Sequence, residues 1–350
     1  MRRTRLAALV GGILAVAALA FVSAALAKSS TRAAAPVKAC LITDTGGLND
    51  HGFNHLAYVG LLAAKAKLHV QTKVLTSTSS ADYIPNMSAC VTQGYNLVIG
   101  IGFLMEQAIQ TVSAKYPNVK FAGVDMPVGD FQFLKPVKGI GKNYEGLVFA
   151  EQEVGYEAGY IAALMAQHDH HTVVSSVGGV AVPPVVRYIA GYQAGAKKAV
   201  PSITLLNAYS QDFVAQDKCK NLALDQISKG SDVVFQVAGG CGLGVLDAAK
   251  EKSAWGIGVD ADQAYINQRV LTSAQKKVDV AVYTAIANLQ KGKFAGGADL
   301  AFNAANGGVG LGVINKAVPF SIRAKTKGVA LLVAHGVIKP PTACTPNPNC

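Results

Sequence analysis

The chain has 350 residues, 51% of them hydrophobic and 15% charged, with 36 glycines and 13 prolines. It is too apolar and too weakly charged for a disordered protein, and it carries no collagen-like repeat. The formal charge is +11, but the cations beyond Arg2, Arg3 and Arg5 are scattered singly or in pairs. No basic stripe forms, which excludes a duplex nucleic-acid partner. At about 100–200 residues per domain, the length predicts two globular units.

Met1 to Arg5 is short and basic, Leu6 to Leu26 is almost wholly apolar, and Ala25-Leu26-Ala27 ends the run with small residues. This pattern predicts an export signal over residues 1–27, cut after Ala27. Left uncut, the run approaches the ~20 residues that span a bilayer and would tether the chain. The remainder is expected outside the cytoplasm, periplasmic or at the cell surface. Six cysteines, Cys40, Cys90, Cys219, Cys241, Cys344 and Cys350, form an even set without a Cys-x-x-Cys pair. That suits an oxidising compartment and argues against a structural zinc site. The expected bridges are Cys40–Cys90, Cys219–Cys241 and Cys344–Cys350, because each stays within one local unit. A lipid on Cys40 is disfavoured, since Lys38 lies two places before it and the apolar run has already ended.

From there the chain alternates strand and helix. Strands are predicted at Ala39–Thr43, Val70–Leu75, Leu97–Ile101, Phe121–Val124, Val173–Val177, Ile203–Ala208, Val233–Val237 and Ile257–Val259. Helices are predicted at Phe53–Leu68, Met105–Lys115, Val148–Met165, Val185–Val200, Leu243–Lys252 and Val278–Gln290. Continuous apolar strands alternating with helices indicate parallel sheets covered on both faces. The long connection from Pro127 to Asn143 interrupts the rhythm, so two doubly wound lobes are favoured over an eight-stranded barrel. The first lobe is expected over 38–145 with about 278–305, and the second over 146–277 with about 306–340. Segments crossing back between them, including a strand near Val309–Ile314, make a multi-strand hinge. A Pro/Cys tail, 341–350, has no chemistry of its own.

The carboxyl ends of parallel strands face the ligand crevice. Asp44, Asp125 and Asp260 each follow such a strand. One strand-end Asp is commonly a helix cap, but three at equivalent edges point to a shared cleft. A carboxylate there accepts two hydrogen bonds, as from a ribose diol.

The run DTGGLNDHGFN, Asp44 to Asn54, resembles the opening motif of the basic membrane protein family, the purine-nucleoside-binding lipoproteins of ABC transporters. The likeness continues in order through GFLM (Gly102–Met105), GVD (Gly123–Asp125), EAGYIA (Glu157–Ala162) and GYQAG (Gly191–Gly195). It ends with FQVAGGCGLG (Phe235–Gly244), GVDADQ (Gly258–Gln263) and LTSAQK (Leu271–Lys276). The resemblance spans about residues 38–315. It implies a type I periplasmic-binding-protein fold, whose two lobes close on a ligand without catalysis or cofactor. It implies that Phe53 and Phe213 stack on the two faces of a purine. It also implies that Asp44, Asn54 and Asp125 read the polar edges of the base, and that Gly239 or Gly240, Asp260 and Lys276 hold the ribose hydroxyls. The expected partners are a nucleoside and an ABC permease, with the protein itself a monomer. Two positions depart from the family: the lipid-bearing cysteine is missing, and Cys241 stands where a small hydroxyl residue is common.

Other chemistries are weaker. The Gly239–Gly244 run follows a strand but lacks the Gly-x-Gly-x-x-Gly spacing of dinucleotide sites. His168-Asp-His-His171 could hold a metal, yet a solvated loop explains it as well. No Gly-x-Ser-x-Gly elbow or phosphate loop occurs. A nucleoside hydrolase using Asp44, Asp50, Asp125 or Asp260 as base, and a binding protein for another small polar ligand, remain as alternatives.

Overall fold

A computed structural model describes residues 36–129 and 141–344. The expected signal over 1–27 and the end of the tail, with Cys350, lie outside the described residues. The first six-stranded sheet contains β1 (Lys38–Ile42), β2 (Gln71–Leu75), β3 (Leu97–Ile101), β4 (Lys120–Val124), β5 (Tyr144–Phe149) and β11 (Asp299–Phe302). The second contains β6 (Val173–Gly178), β7 (Thr204–Tyr209), β8 (Ser231–Val237), β9 (Trp255–Asp260), β10 (Val270–Lys276) and β12 (Val309–Leu311). Their orders, β11-β5-β4-β3-β1-β2 and β12-β10-β9-β8-β6-β7, are the same winding used twice. All pairs are parallel except β10 with β12. The fold is therefore two parallel-dominated α/β lobes.

The helices are α1 (Phe53–Leu68), α2 (Tyr83–Thr92), α3 (Glu106–Lys115), α4 (Glu151–His168), α5 (Pro183–Ala199), α6 (Gln216–Ser228), α7 (Leu243–Glu251), α8 (Val278–Gln290) and α9 (Phe320–Ala334). They cover both faces of each sheet, which explains why central strands such as LVIGI of β3 are apolar throughout and wholly buried. Three short crossovers join the lobes: Ala150 between β5 and α4, Lys277 between β10 and α8, and residues 303–308 between β11 and β12. Helix α8 returns to lie on α1, and α9 packs on α4 through Val329, Val333 and Tyr156.

Helices α4 and α5 approach almost backbone to backbone. A Cβ on Gly155, Gly159, Gly191 or Gly195 would strike the carbonyl of Tyr188, Tyr192, Gln152 or Tyr156 respectively. The two Gly-x-x-x-Gly pairs clear one face of each helix, so dispersion contacts run along the whole crossing.

Several sequence expectations need correction. The helix expected from Val148 begins at Glu151, because Val148 and Phe149 pair with Ala301 and Phe302 in β11. The lobe boundary expected at 145/146 cuts β5, which pairs with β4 and β11 in the first sheet. Strands β5, β10 and β11 and helices α2, α6 and α9 were not expected. Pro85 inside α2, the polar run QDKCKN in α6 and Gly328 in α9 each blur helical periodicity. Disulfides join Cys40 to Cys90, tying β1 to α2, and Cys219 to Cys241. Cys344 is also disulfide-bonded. Among the described residues no helix is long and apolar enough to cross a membrane.

Candidate ligand-binding cleft

The carboxyl edges of both sheets face one cleft between the lobes, with about 630 Å³ of empty space counted to its open mouth. The nine residues named from the sequence, Asp44, Phe53, Asn54, Asp125, Phe213, Gly239, Gly240, Asp260 and Lys276, all line it.

From the first lobe, the loop after β1 is folded by its own side chains. Asp50 accepts from the amides of Gly52 at 3.0 Å, Asn54 at 2.7 Å and His55 at 3.0 Å, satisfying the orphan donors at the start of α1. Asn54 Nδ2 donates to Asp44 Oδ1 at 2.7 Å and Asp50 Oδ2 at 3.1 Å, while its Oδ1 accepts from the Asp44 amide at 3.2 Å. Both amide hydrogens of Asn54 are thus committed to shaping the loop. Asp44 Oδ1 also accepts from Gly46 at 2.8 Å, which leaves Oδ2 uncommitted to these bonds. Phe53, the first residue of α1, is half-buried at the cleft wall. Gly102, with φ of 100°, has no side chain because a Cβ would stand 3.3 Å from the Phe53 ring and 3.0 Å from Asp44 Oδ2.

From the second lobe, Phe213 projects from the loop between β7 and α6. Asp212 shapes that loop by accepting from Val214 at 2.8 Å and Ala215 at 3.1 Å. The Phe213 ring lies over Gly179, where a Cβ would collide with it. The Cys241 amide donates to the Phe213 carbonyl at 3.0 Å, and Cys241 is bridged to Cys219. The disulfide therefore pins the loop that carries the aromatic. Gly239, with φ of 55°, opens the turn after β8 beside it.

The polar floor is a chain of charges. Lys276, at the end of β10 and 2% exposed, donates to Asp125 Oδ2 at 2.6 Å and Glu151 Oε1 at 3.0 Å. Its ammonium stands 5.0 Å from the ring centroids of Phe53 and Phe149 and 5.8 Å from that of Tyr188. Such cation–π contacts stabilise a desolvated cation. Arg187 Nε completes the chain at 2.7 Å from Glu151 Oε2. Asp125 Oδ1 is buried with no hydrogen-bond partner. Tyr188 Oη donates to Asp260 Oδ1 at 3.4 Å.

Burial pushes the Asp44 carboxyl up to about 6 and Asp260 up to about 7, the latter against the pull of Lys276. Asp125 is pushed up to about 6 by burial, with Lys276 opposing. Burial also works against the charge on Glu151, but Arg187 and Lys276 outweigh it and hold Glu151 below the usual carboxylate range. For Lys276, Asp125, Glu151 and Asp260 together outweigh burial and keep the amine charged.

At the mouth, His51 Nδ1 is 3.1 Å from Tyr265 Oη, and Gln263 Nε2 donates to the His51 carbonyl at 3.2 Å, so the lobes touch across the opening. Glu151, Arg187, Tyr188 and Gln263 were not singled out from the sequence. They sit inside helices or loops, where a lone polar residue carries no spacing signal. The 168–171 loop is used structurally: Asp169 accepts from Trp255 Nε1 at 2.9 Å, and His171 lies 3.7 Å from Asp232.

Two α/β lobes, three crossovers and a cleft at facing sheet edges define a solute-binding protein of the periplasmic-binding type. Residues 37–331 match the Bmp family model, described as ABC transporter substrate-binding protein, PnrA-like, and the chain belongs to that family. It is 31% identical to the "ABC transporter nucleoside-binding protein BmpA" of Lactococcus lactis, over 87% of this chain and 92% of that one. It is 29% identical to "Basic membrane protein A1" of Borrelia garinii, over 81% and 82% of the two chains. A solved solute-binding protein of an ABC transporter system from Aeropyrum pernix shares the fold, with TM-score 0.75 at 24% identity, covering 87% of this chain and 93% of that one. Proteins of this family bind a small solute and deliver it to a membrane permease.

Proposed function

We propose that this protein captures a purine nucleoside outside the cytoplasm and hands it to an ABC permease, acting as a monomer. The observation that carries this reading is that Phe53 and Phe213, from opposite lobes, both line one cleft together with carboxylates. Aromatic faces stack on either purine without preference. Asp44, Asp125 and Asp260 are acceptors, matched to a ligand rich in N–H and O–H donors, and Asp125 Oδ1 has a buried lone pair to offer. The name of the Lactococcus lactis relative points the same way. A nucleoside of roughly 19 non-hydrogen atoms, at about −0.4 to −0.5 kcal/mol each, binds with about −8 to −10 kcal/mol. That is low-micromolar to sub-micromolar affinity.

A hydrolase finds less support. Asp50 spends both oxygens on backbone amides and Asn54, which leaves it poorly placed to serve as a base. The export signal, a monomeric state and the nucleoside itself belong to this proposal. Calorimetric titration of the chain from Lys28 with adenosine, guanosine, inosine, their free bases and common sugars tests it, with chromatography of each mixture. Binding of at least one purine nucleoside without product is expected. Binding of a sugar alone, or release of free base, overturns it.

A further inference from the structure

One carboxylate beneath the cleft has no place among the ligand contacts. Glu151 opens α4 one residue past the first crossover and is fully buried, without lining the cleft. It holds Lys276 with one oxygen at 3.0 Å and Arg187 with the other at 2.7 Å. Lys276 ends β10 one residue before the second crossover. Glu151, Arg187 and Lys276 all lie on second-lobe elements, so their bonds do not depend on how far apart the lobes stand. Asp125, which Lys276 meets at 2.6 Å, belongs to the first lobe.

We infer that Glu151 is a positioning residue: clamped by Arg187, it fixes the Lys276 ammonium where it meets Asp125 of the other lobe and the sugar hydroxyls of the ligand. The role rests on the nucleoside site proposed above. A lysine stem has four rotatable bonds and a strongly hydrated head, so it does not choose one buried geometry unaided. Around this ammonium stand Asp125 after β4, Glu151 of α4, Asp260 of β9, Arg187 and Tyr188 of α5, and the rings of Phe53 and Phe149. Arg187 and Lys276 balance Glu151 and Asp125. Without the Glu151 charge, two cations share Asp125, and the ammonium is free to swing toward Asp260.

The test uses Glu151→Gln and, because that site is wholly buried, also Arg187→Gln, whose side chain is 24% exposed. Affinities for inosine and 2′,3′-dideoxyinosine are measured beside the pH titration of the Lys276 ε-carbon in ¹³C-lysine-labelled protein. Glu151→Gln is expected to lower inosine affinity at least tenfold and dideoxyinosine affinity less than threefold, because only the former offers hydroxyls. The Lys276 titration moves to lower pH. Arg187→Gln is expected to lower inosine affinity by less, and to move the Lys276 titration to higher pH, because it removes a neighbouring cation and leaves Glu151 to Lys276 alone. Folded variants that keep wild-type affinities and an unmoved Lys276 titration overturn the role, as does an equal loss of both ligands. If the wild-type protein binds no nucleoside, the nucleoside reading fails. The Lys276 titration then decides alone: a shift to lower pH in Glu151→Gln supports the positioning role, and none overturns it.

Discussion

Asp125 and Asp260 occupy the same place in the two lobes. Each stands at the end of the third strand from the crossover edge, β4 or β9, with a left-handed backbone, φ 66° and 62°. The two carboxylates approach one cleft from opposite sides, with Lys276 near both. Left-handed φ is uncommon for a residue with a Cβ, and Asp tolerates it better than most. The duplicated winding thus places a duplicated acceptor, and the single lysine between them breaks the symmetry.

Phe53→Ala and Phe213→Ala should each cost about 1–3 kcal/mol of nucleoside binding, the usual worth of a base–aromatic stack. This corresponds to roughly a 5- to 150-fold rise in Kd, measurable by calorimetry. Unchanged inosine affinity in both variants would remove the sandwich from consideration.

Phosphate should be rejected. Asp44, Asp50, Asp125 and Asp260 line the cleft against one ammonium, which Asp125 and Glu151 already neutralise. Inosine 5′-monophosphate is expected to bind at least tenfold more weakly than inosine, with the gap narrowing as salt screens the repulsion. Equal affinity for the two would show that the carboxylates do not face the sugar end.

Acid should stabilise the protein while weakening its hold on ligand. Asp44 and Asp125 are pushed up to about 6 and Asp260 to about 7, chiefly by burial, against about 4 in an unfolded chain. Between those values the folded chain holds more protons, so stability rises as pH falls from about 7.5 to about 5. Glu106, Glu145 and Glu157, raised by burial to about 7, act in the same sense. Glu151, held low, opposes only below about pH 4.5, where its unfolded form protonates. Protonated carboxyls are poorer acceptors, so Kd for inosine should rise over the window in which the melting temperature of the free protein rises. A melting temperature that falls on acidification from 7.5 to 5 contradicts this account.

Gly159→Ala should destabilise the second lobe by about 1–3 kcal/mol or more, since the new methyl meets the Tyr192 carbonyl and rigid backbone must shift. The midpoint of urea unfolding reports it. Gly328→Ala in α9, with open space around it, should instead be neutral or slightly stabilising.

Much of the fold is legible in the chain because buried parallel strands need unbroken apolar runs. LVIGI of β3 and the helix Phe53–Leu68 fall where periodicity puts them. Strand β5 is less so: YEGLVF runs on into α4 with only Ala150 between, and no turn residue marks the change. The polar strand-end residues could be named because a doubly wound sheet opens its crevice at those ends. Resemblance to a known family supplied the two phenylalanines.

By itself the sequence determined two α/β lobes, local cysteine pairs and a set of strand-end acids, all consequences of short-range pattern. Only the tertiary structure decided that Lys276, among so many lysines, is buried with two carboxylates and three aromatic rings. It also decided that Asp50 and Asn54 build their loop, and that Glu151 and Arg187 stand behind the site. The reason is physical: a side chain's charge state and partners depend on what surrounds it in space. Asp125 and Lys276, 151 positions apart, meet only because the three crossovers hold the two sheets with their strand ends at the same cleft.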